Sequence, residues 1–241
     1  MMPQQNEPSP EQLNEAEAAW RTAAEAGDPE AMNLLGALLA TRGDPDAGEA
    51  WLRMAAATGA DGAQFNLGWL LEQRGDPSGA EASYRRAAEQ GNAKAMNALG
   101  NLLHTRGEED NAEACWQWAA DYGDANGMNA VGIVLAQRGN TAAAGEWHRR
   151  AAEAGHPDAM YRLGYALQVA GDPHAAEQWW SAASRAGDAR AMNALGTLLE
   201  DSGDLDGAEA MYTAAVAAGN EKAAANLASL AEVRATRPSQ D

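Results

Sequence analysis

The chain has 241 residues, with 17 Lys and Arg against 35 Asp and Glu and a net charge of −18. A surface this acidic repels nucleic-acid phosphates and anionic lipid headgroups, and it favours a partner carrying exposed Lys and Arg. The single cysteine, Cys115, excludes an intramolecular disulfide and a paired-cysteine metal site.

The opening residues, MMPQQNEPSPEQ, are polar, acidic and proline-bearing, without the basic-then-apolar pattern of a signal peptide. Wholly apolar runs are too short to span a bilayer. These features predict a soluble cytoplasmic protein, with disordered tails at 1–9 and 235–241 around one repeat domain at 10–234. Few Lys beside abundant Ala, Arg, Gly and Trp is the composition of a GC-rich bacterial genome.

From the first predicted helix, near residue 11, the chain settles into a rhythm. Gly27, Gly59, Gly91, Gly123, Gly155, Gly187 and Gly219 recur every 32 residues, the period of stacked helical hairpins. Two parallel series run beside them, one from Gly36 to Gly196 and one from Gly43 to Gly203. The spacing predicts helices starting near 11, 44, 76, 108, 140, 172 and 204, alternating with helices starting near 28, 60, 92, 124, 156, 188 and 220. Most starts carry Asp or Asn as a cap, often followed by Pro, as in Asp28-Pro29 and Asp172-Pro173.

Within the first helix after each such glycine, apolar residues follow an amphipathic stripe, seen in Ala95, Met96, Leu99, Leu102 and Leu103. The second helix repeats a small residue, Ala23 through Ala215, beside a bulky one such as Trp20, Tyr84, Trp116, Trp180 or Tyr212. Gly36 and its equivalents interrupt the first helices, where Gly costs about 1 kcal/mol relative to Ala. Close approach of the partner helix is the expected reason. In the last unit the two inner glycines become Ala228 and Ala235, as a terminal cap would have it. The resulting architecture is an all-α, right-handed α-solenoid of about seven helix-turn-helix repeats.

The string running from Ala176 and Glu177 through Trp180, Ala182-Ala183, Gly187, Ala191-Met192, Leu195-Gly196 and Leu198-Leu199 resembles the Sel-like repeat, a relative of the tetratricopeptide repeat. The resemblance covers roughly residues 11–234; the unit departs from the family in its trimmed turns. It implies a non-enzymatic adaptor or scaffold.

The face of the first helices opposite the apolar stripe is the candidate binding surface. In related solenoids that face lines the concave groove. Asn33, Asn97, Asn129 and Asn193 share one register of it, and an amide there could pair with both polar groups of an extended peptide backbone. Asn101 stands one turn beyond Asn97. Phe65 with Trp69 and Tyr161 with Tyr165 are i, i+4 aromatic pairs on the same face, suited to anchor a partner. Lys94, Arg162 and Arg190 are scarce cations nearby, and Lys94 with Asn97 and Asn101 loosely resembles the carboxylate clamp of some tetratricopeptide domains. The expected partner is a protein or peptide of basic character, held in this groove.

No catalytic constellation accompanies these residues. His104, His148, His156 and His174 occupy four different registers, and neither a phosphate-binding loop nor a nucleophile elbow occurs. The expectation is therefore no enzyme, no cofactor and no metal. Two other roles fit the same repeat: a structural protein that self-assembles end to end, and an accessory subunit that presents a substrate to a separate enzyme.

Overall fold

The computed structural model describes residues 10–236, and within them every regular element is an α-helix. By internal packing the chain divides into two units, one ending at Tyr122 and one beginning at Gly123. The first holds α1 (Pro10–Glu25), α2 (Pro29–Thr41), α3 (Pro45–Thr58), α4 (Ala63–Gln73), α5 (Pro77–Glu89), α6 (Ala93–Thr105) and α7 (Glu109–Asp121). The second holds α8 (Ala125–Gln137), α9 (Thr141–Glu153), α10 (Pro157–Val169), α11 (Pro173–Arg185), α12 (Ala189–Ser202), α13 (Leu205–Ala217) and α14 (Glu221–Thr236). The tails expected at 1–9 and 235–241 lie outside the described residues, except that α14 continues through 235 and 236.

Local chemistry sets the helix starts. Asp28, Asp44, Asp76, Asn92, Asp124, Asn140, Asp172, Asp188 and Asp204 each accept a backbone N–H of the first turn through the side chain. The observed starts fall within a residue of those read from the sequence, with one exception. Helix α4 begins at Ala63 rather than near 60, because Ala60 stands where its equivalents carry a capping side chain. Gly62 caps α4 instead, in left-handed conformation (φ 74°) and with no side-chain bond.

In each unit consecutive helices pack antiparallel as hairpins, and each hairpin packs on the next. The tightest pairs are α2 with α3, α4 with α5 and α6 with α7, then α8 with α9, α10 with α11 and α12 with α13. The inner glycines account for that closeness. A Cβ on Gly100 would lie 2.6 Å from the indole of Trp116, and one on Gly196 would lie 2.5 Å from the Tyr212 ring. Trp116 and Tyr212 are almost wholly buried, so neither ring has room to retreat.

Ion pairs on the surface repeat with the fold. Arg42 binds Glu17 at 2.7 Å, Arg74 binds Glu49 at 3.0 Å, Arg106 binds Glu81 at 2.5 Å and Arg234 binds Glu209 at 2.8 Å. Each joins the last turn of one helix to the first half of the helix before it, 25 residues back. The same glutamates also take the i, i+4 pairs expected from sequence, Arg21–Glu17 and Arg85–Glu81 among them. Hydrogen bonds first from Arg21 and then from Arg42 hold the Glu17 carboxyl below its ordinary range.

Candidate functional site

The asparagine register turns out to be divided between fold and surface. Asn33 is buried, donating from Nδ2 to the Asp61 carbonyl at 3.1 Å and accepting from Asn66 Nδ2 at 2.8 Å. Its amide ties α2 to the turn before α4, where the helix has no side-chain cap and the Asp61 carbonyl lies within reach. Asn129 is likewise buried, with Nδ2 donating to Asp158 at 3.2 Å. That donation fixes the amide so that its oxygen faces His148 Nδ1 at 3.1 Å, which makes Nδ1 the protonated ring nitrogen. These two amides are therefore not part of an exposed row. The next hairpin comes down over this register and recruits them. Asn97 is half-buried, and Asn193 keeps a foot in both settings: its oxygen accepts from Asn226 Nδ2 at 2.9 Å while the residue borders an open cleft.

The remaining first-unit candidates are distributed along it. Phe65 is half-buried against Tyr84, with ring centroids 5.9 Å apart, whereas Trp69 is exposed. Lys94 is exposed, and Asn101 is exposed but accepts the Trp116 indole N–H at 2.9 Å.

In the second unit the structure brings four candidates together. Tyr161, Arg190 and Asn193 border an open cleft of about 470 Å³, closed on its far side by Lys222 and Asn220 at the start of α14. Tyr161 also borders a second cleft of about 240 Å³, walled by Tyr165, Trp180, Ala194 and Leu198. Tyr165 is 59% exposed, and it stands at the mouth of that second cleft. The two clefts thus adjoin at Tyr161, one polar and one mainly apolar.

Charge holds this region in shape. The Arg190 guanidinium sits 4.6 Å above the Tyr161 ring and pairs with Asp188 at 2.6 Å and with Asp158 at 2.8 Å. Arg162 reaches Asp158 from the same helix at 2.8 Å. Burial works against the Asp158 carboxylate, but hydrogen bonds from Arg162 and Arg190 outweigh it and keep the group below its ordinary range. The hydrogen bond to Asp188, helped by the one to Asp158, drives Arg190 the other way, so it stays charged. Both arginines read from sequence as partner-facing cations are thus already engaged by aspartates, and the Arg190 plane braces the Tyr161 ring.

Sequence reasoning missed three participants: Trp180 as a cleft wall, Lys222 across the polar cleft, and Asp158 as the carboxylate beneath them. The 29-residue spacing of Asn129 and Asp158 and the 33-residue spacing of Asn33–Asn66 and Asn193–Asn226 were the available signals. Among the described residues no group of His, Cys, Asp and Glu is placed to hold a metal ion, and no helix is long and apolar enough to cross a membrane.

A hairpin stack of this period, with an aromatic cleft on its first helices, defines a helical repeat protein of the interaction type. The tetratricopeptide repeat profile matches residues 11–64, 65–115 and 161–223, more than half of the chain. The chain belongs to the tetratricopeptide repeat family, in its Sel-like form. Its structure is similar to that of c5321, a protective antigen present in uropathogenic Escherichia coli strains and displaying an SLR fold, at 26% identity and a TM-score of 0.74. That match covers 92% of this chain but 53% of the other, so the chain spans about half the length of that antigen. A Sel1 repeat protein from Oxalobacter formigenes matches at 24% identity and a TM-score of 0.70, over 86% of this chain and 99% of the other. PilF of Pseudomonas aeruginosa matches at 20% identity and a TM-score of 0.57, over 83% and 90%. No curated protein matches the sequence. Repeats of this family generally mediate protein–protein interaction and are typically non-enzymatic scaffolds.

Proposed function

We propose that this protein is a non-enzymatic adaptor that holds an extended segment of a partner protein across α10, α12 and α14. The observation that carries the reading is the exposed Tyr165 beside Tyr161, standing between a polar and an apolar cleft. Exposed tyrosines at the edge of a partly formed pocket supply large, rigid contact area at small entropic loss. Asn193 retains its amide donors at the polar cleft and could serve a passing backbone carbonyl. The net charge of −18 supports a partner segment of basic character, steered in by the field of the whole chain.

The test is affinity capture followed by titration with the captured protein, comparing wild type with the double variant Tyr161→Ser, Tyr165→Ser. Helicity and the urea midpoint serve as controls for folding. The expected result is affinity reduced about tenfold or more in the double variant. Equal affinity in both proteins would remove this cleft from the binding function.

A further inference from the structure

The second unit breaks the ladder of ion pairs in an informative way. Arg42, Arg74, Arg106, Arg138 and Arg234 share one register, whose other two members are Ala170 and Ser202. At Ala170 the acidic partner is also gone, its place taken by Gly145. At Ser202 the glutamate remains as Glu177, and only the cation has been lost. Ser202 does not substitute for it, because its hydroxyl donates to the Leu199 carbonyl of its own helix at 2.8 Å. Glu177 is 48% exposed, and the His174 ring nitrogen Nδ1 lies 3.9 Å from its carboxylate. His174 itself occupies the register of Asn14, Asp46 and Asp206, each of which accepts a second bond from the ladder arginine in its own window.

An open cleft of about 410 Å³ lies where the missing side chain would run, bordered by His174, Glu177, Leu198, Leu199, Asp201 and Ser202. Leu198 and Asp201 also border the tyrosine-walled apolar cleft, so the two clefts adjoin at α12. On α12 the rise from Leu198, shared by both clefts, to Ser202 is about one helical turn, roughly 5.4 Å. Two residues of extended peptide, at about 3.3 Å each, cover that step.

We infer that the cleft left at Ser202 is the subsite for a Lys or Arg side chain of the bound segment, which completes from outside the ion pair that Arg42, Arg74, Arg106 and Arg234 complete from within. The same segment places a large apolar side chain between Tyr165 and Leu198, two residues from the basic one. The inference rests on the reading that the second unit binds an extended segment, and it adds which side chains that segment carries and where they lie.

The test uses a random library of octapeptides, acetylated and amidated so that their termini carry no charge, selected at equilibrium on the intact chain. Three variants accompany the wild type: Ser202→Arg, which supplies the missing cation internally, Glu177→Gln, which removes its acidic partner, and Tyr165→Ser. The expected selection is Lys or Arg two positions from a Leu, Met or aromatic residue. Replacing that basic residue by Gln weakens binding to the wild type about tenfold, the scale of one charge-assisted pair, and leaves binding to Ser202→Arg and Glu177→Gln unchanged. Both variants bind the parent peptide about tenfold more weakly than wild type, and Ser202→Arg has an unfolding midpoint at or above that of wild type. Absence of basic enrichment, or full affinity in Ser202→Arg and Glu177→Gln while Tyr165→Ser loses the peptide, overturns the subsite and leaves the peptide cleft standing. Full affinity in Tyr165→Ser, or failure to select any peptide, overturns both.

Discussion

Gln64 stands in a register that holds methionine in five other first-type helices, Met32, Met96, Met128, Met160 and Met192. Its Oε1 is buried without a hydrogen-bond partner. A buried acceptor left unpaired costs about 1–3 kcal/mol, and methionine adapts its shape to an apolar gap. Gln64→Met is therefore expected to stabilise the chain by about 1 kcal/mol or more, read as a higher urea midpoint at unchanged slope. A lower midpoint would mean that the amide has a structural task in α4. His148 makes a second residue-scale prediction. Burial foremost, then the nearby Arg162 charge, push its pKa below the ordinary histidine value, against a pull from Asp158. A depressed folded pKa means that the unfolded chain binds the extra proton first. Its contribution to stability is thus complete above the unfolded value of about 6.5 and is lost as pH falls through the folded value. Unfolding midpoints between pH 7.5 and pH 5 should fall in the wild type and fall less in His148→Tyr, which has the ring found at Tyr84 and Tyr212 and no titration in that range. Parallel curves for the two proteins would show that His148 is not the titrating group.

At the scale of the helix, periodicity and caps were legible almost residue by residue, because both are local. A cap needs a side chain three residues from the N–H it binds, and Asp28 or Asp204 supplies it whatever the rest of the chain does. The same rule read in reverse explains the late start of α4 at the capless Ala60. Inner glycines were legible as a recurrent local weakness, and their reason lies in the neighbouring helix. Gly100→Ala would put a methyl group 2.6 Å from Trp116 and 3.1 Å from the Ala112 carbonyl, so α6 and α7 must separate. Overpacking of this kind costs about 1–3 kcal/mol, more than the helix propensity gained from alanine. The expected outcome is a lower urea midpoint with loosened Trp116, seen as red-shifted indole emission. A midpoint at or above wild type would show that the helices part freely.

Across the whole molecule, the candidate site was legible only in part. Tyr161 and Tyr165 stood out as bulky rings on an otherwise polar face, and the structure places them at adjoining clefts with Arg190 and Asn193. Asn33 and Asn129 share their register with Asn193, yet sequence alone does not separate a side chain that meets solvent from one that meets Asp61 or Asp158. Period, fold class, helix starts and acidic surface were determined by the sequence itself, since each follows from residues within a turn or two of one another or from composition. Tertiary structure alone decided which asparagines were buried, which arginines were already neutralised by aspartates, and where the vacated ion pair joins the tyrosine cleft. Apart from the local Arg162–Asp158 and Arg190–Asp188 pairs, those outcomes depend on side chains 25–33 residues apart, and only the stacking of hairpin on hairpin brings them within bonding distance.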